Sequence, residues 1–507
     1  MNKQSDKYGK MLFEFKEKVR RIEYLKYTLN SLIYWDKITY MPMNGIEYRS
    51  QVMGFLAEEL YKALSDSQLK KYVEYFDGNK RNDKIVNGMV IRIKKNNSYV
   101  NKIPEREYGQ YISLIANAEQ IWEKAKGKDD FKLFSPYLEK IVEYFKYFAE
   151  YWGYEENPYD ALIGYYEEGM TVKEIDKLSS ELRDSIIELL NQIREKEGNA
   201  AKNNEPDRIS LTIEKQKELS EWILSTIGFD FNSGRLDQGA HPTTLASSPE
   251  DVRIVTSYNE NNIKTGIFNT LHEGGKGLYE QDIDKNLMST LLAEVASFGV
   301  EEAIGRFYEN IVGRSRGFSD SICSKLKRLS PQFEKLKPEE FYKNINKVEP
   351  SLIRIDADEL TYTLHIIIRY ELEKELINGQ ISVSQLPEVW NKKYKEYLGI
   401  DPPNNSQGVL QDIQWAAGYF GFFPSYFLAN LMAAQFAAMM ENEIGSLEEL
   451  IFTGQFKKIH NWLAENVHKC GAVYSASDLI KKVTGGGVSS KYYISYLRRK
   501  YYELYDL

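Results

Sequence analysis

The stretch TLHEGGKGLYEQ, residues 270–281, carries a histidine, a glutamate and a lysine on what the sequence predicts to be one helix. His272 and Lys276 are four residues apart, so their side chains lie on the same face of that helix. Glu273 follows the histidine directly. By itself a His-Glu pair has little specificity, and a surface helix in which the pair occurs by chance is the competing interpretation.

The spacing matters because a second histidine at position 276 would complete part of a zinc site. Two histidines one turn apart can direct ring nitrogens at one Zn²⁺ at about 2.0–2.1 Å. The glutamate then serves as general base towards the metal-bound water. Lys276 can ligate a metal only as a neutral amine, which costs roughly 4–5 kcal/mol at neutral pH for an ordinary lysine. Neighbouring acids raise its pKa further, so we expect Lys276 not to bind zinc.

The composition is that of a large globular protein. The chain has 507 residues, of which 42% are hydrophobic, and this is enough for a sizeable core. A net charge of −8, with mixed signs along the chain, favours neither nucleic acid nor an anionic membrane as a partner. Two cysteines, Cys323 and Cys470, give no disulfide framework and are typical of a reducing compartment, so we expect a cytoplasmic protein.

Helical patterning dominates the sequence. Thr171 and Glu174 form a predicted capping box, and apolar residues then recur every three or four positions through residue 193. The uncharged run 413–440 contains Gly, Pro, Asn and Gln, which favours a loop followed by a buried helix over a membrane span. We therefore expect a mainly α fold with a single large domain over residues 1–507.

Strand signals are few. The segment RISLTI (208–213) is one candidate, and DVRIVTSY (251–258) is a better one because apolar or β-branched residues alternate along it. A small sheet edge beside the 270–281 helix could hold an extended peptide by main-chain hydrogen bonds. A hairpin that only packs against helices is the alternative.

Several longer motifs, spread over residues 32–435, carry more specific information than the 270–281 helix alone. They are LIYWDKITYMPMNGIEYRSQ (32–51), NPYDALIGYYEEGMT (157–171), GFDFNSGRLDQGAHP (228–242), EDVRIVTSY (250–258), GRFYENIVGRSRGF (305–318), LIRIDADELTYTLHIIIRYELE (352–373) and GVLQDIQWAAGYFGFFPSYFLANLMAAQ (408–435). Together they resemble the thermostable (Taq-type) carboxypeptidase family of zinc metallopeptidases. The resemblance implies a gluzincin-like, mainly α fold with a deep substrate groove and a small β-sheet beside the active-site helix. It also implies a zinc or cobalt cofactor, a cytosolic homodimer and the release of C-terminal amino acids from peptides.

By the same resemblance, His272 is the first metal ligand, Glu273 the general base and Glu302 the third ligand, on a neighbouring helix. The sequence departs from the family at this chemistry. Lys276 replaces the second ligand histidine, and Glu301 replaces the histidine before the ligand glutamate. We therefore expect vestigial ligand positions, with the Lys276 ammonium paired to Glu302 and Glu273 in place of the missing cation.

Further departures lie outside the metal motif. Compared with the family's motifs, Gln414 replaces the histidine of a late His-Trp pair, Ser257 replaces an arginine and Thr243 replaces a phenylalanine. Scaffold motifs such as YWDKITYMP and DADELTY are intact. This contrast is typical of a retained fold whose reaction is impaired.

Two arginines are candidates for binding a peptide's C-terminal carboxylate, because a guanidinium matches a carboxylate with two parallel hydrogen bonds. They are Arg354 and Arg253, and internal salt bridges to nearby aspartates, such as Asp356 or Asp251, are the alternative. The remaining substrate-binding candidates, each within a family motif, are His241, Gln414 and Tyr419.

Three functions stay open from the sequence. The departures favour a catalytically weak or inactive homologue that still binds peptides. Family descent favours an active metal-dependent carboxypeptidase. The third hypothesis is a structural or regulatory partner of an active paralogue, pairing through the family's dimer surface.

Overall fold

Helices make up most of the structure, a computed structural model that describes residues 3–100, 102–198 and 210–507. The helices before the sheet are α1 (Lys3–Lys26), α2 (Tyr34–Thr39), α3 (Ile46–Leu64), α4 (Ser67–Gly78), α5 (Lys84–Val100), α6 (Glu105–Lys128), α7 (Phe131–Trp152), α8 (Pro158–Tyr166), α9 (Val172–Glu197) and α10 (Ile213–Ile227). Those after it are α11 (Ile263–Asp282), α12 (Phe298–Arg306), α13 (Arg316–Leu329), α14 (Pro338–Ile345), α15 (Glu359–Ile377), α16 (Leu386–Leu398), α17 (Phe423–Ile444), α18 (Leu447–Phe452), α19 (Phe456–Asn466), α20 (Ala476–Thr484) and α21 (Ser490–Tyr505). The mainly α fold predicted from the sequence is confirmed.

The contacts divide the chain into two compact units. Unit 1 comprises Met1–Ser98, Glu205–Tyr342 and Phe436–Gly486. Unit 2 comprises Tyr99–Asn204, Lys343–Gln435 and Gly487–Leu507. The single domain over residues 1–507 and the deep groove stay predictions.

A three-stranded sheet lies beside α11 in unit 1. Its strands are β1 (Gly234–Gln238), β2 (Thr243–Ser248) and β3 (Asp251–Thr256), in the order β1-β3-β2. β1 runs parallel to β3 and β2 runs antiparallel to it. Val252, Ile254 and Val255 of β3 are buried, and β3 and β2 both contact α11. The strand predicted over 251–258 and the sheet expected beside the active-site helix are confirmed.

In unit 2, α15 is buried along almost its entire length. It packs against α9 and α16, with further contacts to α7 and α8. The predicted capping box at Thr171 and Glu174 opens α9, whose apolar stripe is buried. A helix covered on every side holds its side chains in fixed positions, and α15 contributes several of the polar groups described below.

Two further sequence predictions have different outcomes. The strand expected at RISLTI is wrong where the structure describes it, since 210–212 are not in a strand and α10 begins at Ile213, while 208 and 209 lie outside the described residues. Thr212 is the residue before α10, so the described end of this segment leads into a helix. The run 413–440 forms a loop followed by the buried part of α17, as expected. Among the helices in the described ranges, none is long and apolar enough to cross a bilayer.

Candidate functional site

Glycines bring α11 and α12 into unusually close contact. A Cβ atom on Gly275 would lie 2.8 Å from the carbonyl oxygen of Ile304, and one on Gly305 would lie 2.8 Å from Cε1 of His272. Such distances are well inside van der Waals contact, so a larger residue at either position would push the helices apart. The backbone approach places His272, on α11, directly against the α12 residues.

The ammonium of Lys276 points into a group of three carboxylates. Its Nζ atom lies 3.3 Å from Oε2 of Glu273, 3.3 Å from Oε1 of Glu302 and 3.8 Å from Oε1 of Glu301. The lysine side chain is only 9% exposed. Burial lowers the pKa of this amine, but the three carboxylates outweigh it and hold the pKa well above its usual value. Lys276 is therefore a cation, and the position predicted for its nitrogen is confirmed.

Glu273 is held by two partners at once. Its Oε2 atom accepts a hydrogen bond of 2.8 Å from the hydroxyl of Thr244 on β2, in addition to the ion pair with Lys276. The same hydroxyl also lies 2.9 Å from the Glu273 carbonyl oxygen. The carboxylate expected to act as general base is thus tied to the sheet and to a buried cation.

His272 bridges two other carboxylates. Its Nε2 atom lies 3.3 Å from Oε2 of Glu302, and its Nδ1 atom lies 3.0 Å from Oε2 of Glu309. Arg306 completes the arrangement with an ion pair of 3.0 Å to Glu309. Burial lowers the pKa of the imidazole, but Glu302 and Glu309 together raise it to about 9. Both ring nitrogens therefore carry protons near neutral pH.

The acids on α12 have opposite pKa shifts although they are adjacent. Burial raises the pKa of Glu302, but the charges of Lys276 and His272 reverse this and leave it far below its usual value. Burial likewise raises the pKa of Glu301, and here the Lys276 charge compensates less, so its pKa lies at about 6. Glu302 is therefore the fully ionised partner of the two cations.

The profile of the Carboxypeptidase Taq (M32) metallopeptidase family matches residues 14–501 of this chain. The chain belongs to the M32 family. It is 42% identical to Carboxypeptidase 1 of Bacillus subtilis (strain 168) over 503 residues, covering 97% of this chain and 98% of that one. It is 36% identical to Thermostable carboxypeptidase 1 of Thermus thermophilus over 510 residues, covering 97% and 98%.

Solved M32 structures share the fold. A structure of Pyrococcus furiosus carboxypeptidase Apo-Mg matches with a TM-score of 0.94 at 34% identity, covering 97% of this chain and 99% of that one. The M32 carboxypeptidase from Deinococcus radiodurans matches with a TM-score of 0.93 at 31% identity, covering 98% and 100%. The gluzincin-like fold expected from the sequence is confirmed.

The M32 family implies a divalent metal, and the side chains present here do not fit one. An ammonium and a doubly protonated imidazole have no lone pair to offer. The pKa of Lys276 is held well above its usual value and that of His272 is raised to about 9, which favours these protonated forms, and Glu302 is paired with both side chains. Across the described residues, no group of three or more His, Cys, Asp or Glu side chains is arranged to hold a metal ion. A catalytic zinc site normally has three protein ligands and a water, so no reaction step is assigned to a metal here.

The substrate-binding candidates of unit 1 have different surroundings. Arg253, on β3, forms a two-point salt bridge with Asp251 at 2.8 and 2.9 Å, which is the internal pairing considered as its alternative role. Its guanidinium also lies 4.4 Å from the ring centre of Trp35. His241 is exposed in the loop between β1 and β2. A carboxylate-binding role for Arg253 stays a prediction.

The remaining candidates belong to unit 2. Arg354 is buried, and its guanidinium lies 2.9 Å from Oδ1 of Asp412, a different aspartate from those near it in sequence. Gln414 is half-buried, and none of the described residues donates a hydrogen bond to its Oε1 atom. Tyr419 is 47% exposed. Their substrate-binding roles stay predictions.

Three residues of the site were not foreseen from the sequence: Glu309, its partner Arg306, and Thr244. Glu309 follows Glu302 by seven residues, which is two helical turns, so its position on the same side of the helix was a usable signal. The helix becomes π-helical over Phe307–Val312 and still presents Glu309 to His272. Thr244 had no comparable signal, because its contact with Glu273 depends on how β2 packs against α11.

Proposed function

We propose that this chain is a peptide-binding member of the M32 family in which hydrolysis is weak or absent. One observation carries the proposal: the Lys276 ammonium lies 3.3 Å from a carboxylate oxygen of Glu273, the expected general base, and 3.3 Å from one of Glu302, the expected third ligand. A cation bound there competes directly with a metal for the same carboxylate oxygens. The same cation forms an ion pair with the Glu273 carboxylate, which would otherwise be available to remove a proton from an attacking water.

The total positive charge of the site supports the replacement of a metal ion by the Lys276 ammonium. A divalent metal with two neutral histidines brings two positive charges to the site. Lys276 and the protonated His272 bring the same two charges without a metal. The buried acids therefore keep the compensation that a buried carboxylate group requires. Nothing in this exchange requires the surrounding fold to change.

Peptide binding is proposed to survive because the groups suited to it lie outside the altered centre. Arg354 keeps a buried guanidinium beside the rings of Tyr426 and Phe423. Tyr419 offers an exposed aromatic side chain, and Gln414 offers an amide whose oxygen accepts no hydrogen bond from the described residues. Such groups recognise a peptide's carboxylate, side chains and main-chain N–H groups without any metal.

The proposal is tested by two assays on the same preparation. C-terminal residue release from a mixed peptide pool is measured with and without added zinc or cobalt, and it should stay at background. Binding of fluorescently labelled peptides with a free C-terminus is measured by anisotropy, with the C-terminal amides as control, and it should be saturable. Metal-dependent release at rates typical of enzymes would overturn the claim that hydrolysis is weak or absent. Absence of binding would overturn the claim that the chain binds peptides.

An active metal-dependent carboxypeptidase is the second candidate. It is favoured by 42% identity to Carboxypeptidase 1 of Bacillus subtilis over nearly the whole chain. Zinc or cobalt would be its cofactor. This candidate requires Lys276 to lose its proton or leave the carboxylates when metal binds. Metal-stimulated release of C-terminal residues would distinguish it from the first proposal.

We also propose a cytoplasmic homodimer, on the family resemblance and the cysteine chemistry. Cys323 is a buried free thiol and Cys470 a half-buried one, and free thiols persist in a reducing compartment. Light scattering coupled to size-exclusion chromatography is expected to give twice the mass of 59.0 kDa. A monomeric mass would contradict the dimer.

A further inference from the structure

A long irregular segment of unit 2 is held by side chains rather than by secondary structure. The described residues 400–422 contain neither helix nor strand. Loops of more than about 12–15 residues without secondary structure are uncommon in compact domains and are usually either functional or linker segments. Residues 408–422, called here the 408–422 loop, include Gln414 and Tyr419.

Glu373 of α15 joins two distant points of this loop. Its Oε1 atom accepts a hydrogen bond of 2.7 Å from the indole N–H of Trp415, and its Oε2 atom accepts one of 2.9 Å from the backbone N–H of Gly421. A third donor is the hydroxyl of Tyr159 on α8. The Glu373 side chain is fully buried, where an unsatisfied carboxylate would be costly.

Arg369, one helical turn earlier on α15, holds the beginning of the loop. Its guanidinium bonds to Oδ2 of Asp412 at 2.6 Å through Nε and to Oε1 of Gln411 at 2.7 Å through Nη2. Asp412 also binds the guanidinium of Arg354. Residues four apart share one face of a helix, so a single face of α15 fixes the loop at Gln411, Asp412, Trp415 and Gly421.

We propose that Glu373 and Arg369 are positioning residues that set the 408–422 loop for peptide binding. The proposal rests on the peptide-binding function proposed above. Gln414 and Tyr419 lie between the points that Glu373 and Arg369 hold, and Arg354 is tied to the same network through Asp412. A loop fixed in advance loses less conformational entropy when a peptide binds, so the loss of these bonds weakens binding without removing any contact to the peptide.

The test compares Glu373→Gln with Glu371→Gln, a matched change on the same helix. Glu371 also has three partners, at 2.8 Å from Lys393 Nζ, 2.8 Å from the Tyr397 hydroxyl and 3.3 Å from Arg183 Nη1, and these lie on α16 and α9. Both substitutions replace one buried or nearly buried carboxyl group with an amide of the same shape. Only the first replaces an oxygen that accepts a hydrogen bond from the loop.

Three readouts separate positioning from general stability. Amide hydrogen exchange in 408–422 is expected to accelerate about tenfold or more in Glu373→Gln, from the loss of a hydrogen bond to a buried carboxyl oxygen, with α15 unchanged. Peptide affinity is expected to fall by a similar factor. The Trp415 indole N–H resonance, assigned with Trp415→Phe, is expected to shift upfield. Glu371→Gln should leave all three at their unmodified values.

The outcomes distinguish this proposal from the function on which it rests. Unchanged exchange in the loop of Glu373→Gln would overturn the positioning role. Faster exchange with unchanged affinity would show that the loop does not contact the peptide and would overturn it as well. Absence of binding by the unmodified protein would refute the proposed function together with the peptide part of this proposal. Trp415→Phe, which removes one donor and leaves the carboxylate, should reproduce the faster exchange if Glu373→Gln fails to fold.

Discussion

Replacing Lys276 with methionine removes the charge that balances the buried acids. The ammonium lies 3.3 Å from carboxylate oxygens of both Glu273 and Glu302. At an effective dielectric constant of about 20, unit charges at that separation attract each other by roughly 5 kcal/mol. Desolvation of the partners offsets part of this attraction, so the free energy of unfolding is expected to fall by about 3–5 kcal/mol. Methionine keeps an unbranched chain of similar length, so the loss reports the charge rather than the packing.

The assay is urea unfolding at neutral pH, with Lys285→Met as the control. Lys285 pairs with Glu250 at 2.6 Å, but its side chain is 62% exposed. Removing an exposed ion pair of this kind is expected to change stability by no more than about 1 kcal/mol. The reasoning is refuted if Lys276→Met lowers the free energy of unfolding no more than Lys285→Met does, because the acids would then not depend on the ammonium.

Three further predictions address the metal position, acid stability and helix packing. Lys276→His should increase the zinc retained after equilibrium dialysis, because two histidines then lie one turn apart, while peptide hydrolysis stays low because other family positions still differ. Burial lowers the pKa of His468 although Asp282 opposes it, so the folded state binds fewer protons than the unfolded state, whose histidine titrates near about 6.5. His468 is therefore expected to contribute a loss of stability as pH drops below about 6.5, and urea unfolding of His468→Asn should lack that contribution over this range. Gly275→Ala should cost about 1–3 kcal/mol of stability through overpacking; Gly54→Ala, whose Cβ would meet nothing within 4 Å, should be neutral or stabilising by about 0.4–1 kcal/mol.

The parts of the fold that follow from local chemistry were predictable. The capping box at Thr171 opens α9, and the alternation at 251–258 marks β3. The spacing of His272 and Lys276 on one helix face also follows from sequence alone. These features depend on residues within a few positions of one another, where propensity and periodicity act directly.

The parts that depend on packing between distant segments were not predictable. Arg354 pairs with Asp412, 58 residues away, although acids lie much closer in sequence. Thr244 reaches Glu273 only because β2 packs against α11. The segment beginning at 208 had strand-like alternation, yet the helix α10 starts at Ile213. In each case a tertiary contact or a helix start determined the outcome, and a short window of sequence carries no record of it.

The zinc content of the unmodified protein at equilibrium tests most directly whether an ammonium has replaced the metal. The protein is purified without added metal and dialysed against buffered zinc, and the bound zinc per chain is measured by elemental mass spectrometry. The Lys276→His variant is treated identically. The account predicts substoichiometric zinc in the unmodified protein and more zinc in the variant. One tightly held zinc ion per unmodified chain would contradict it, because the lysine would then not have kept the metal from His272 and Glu302.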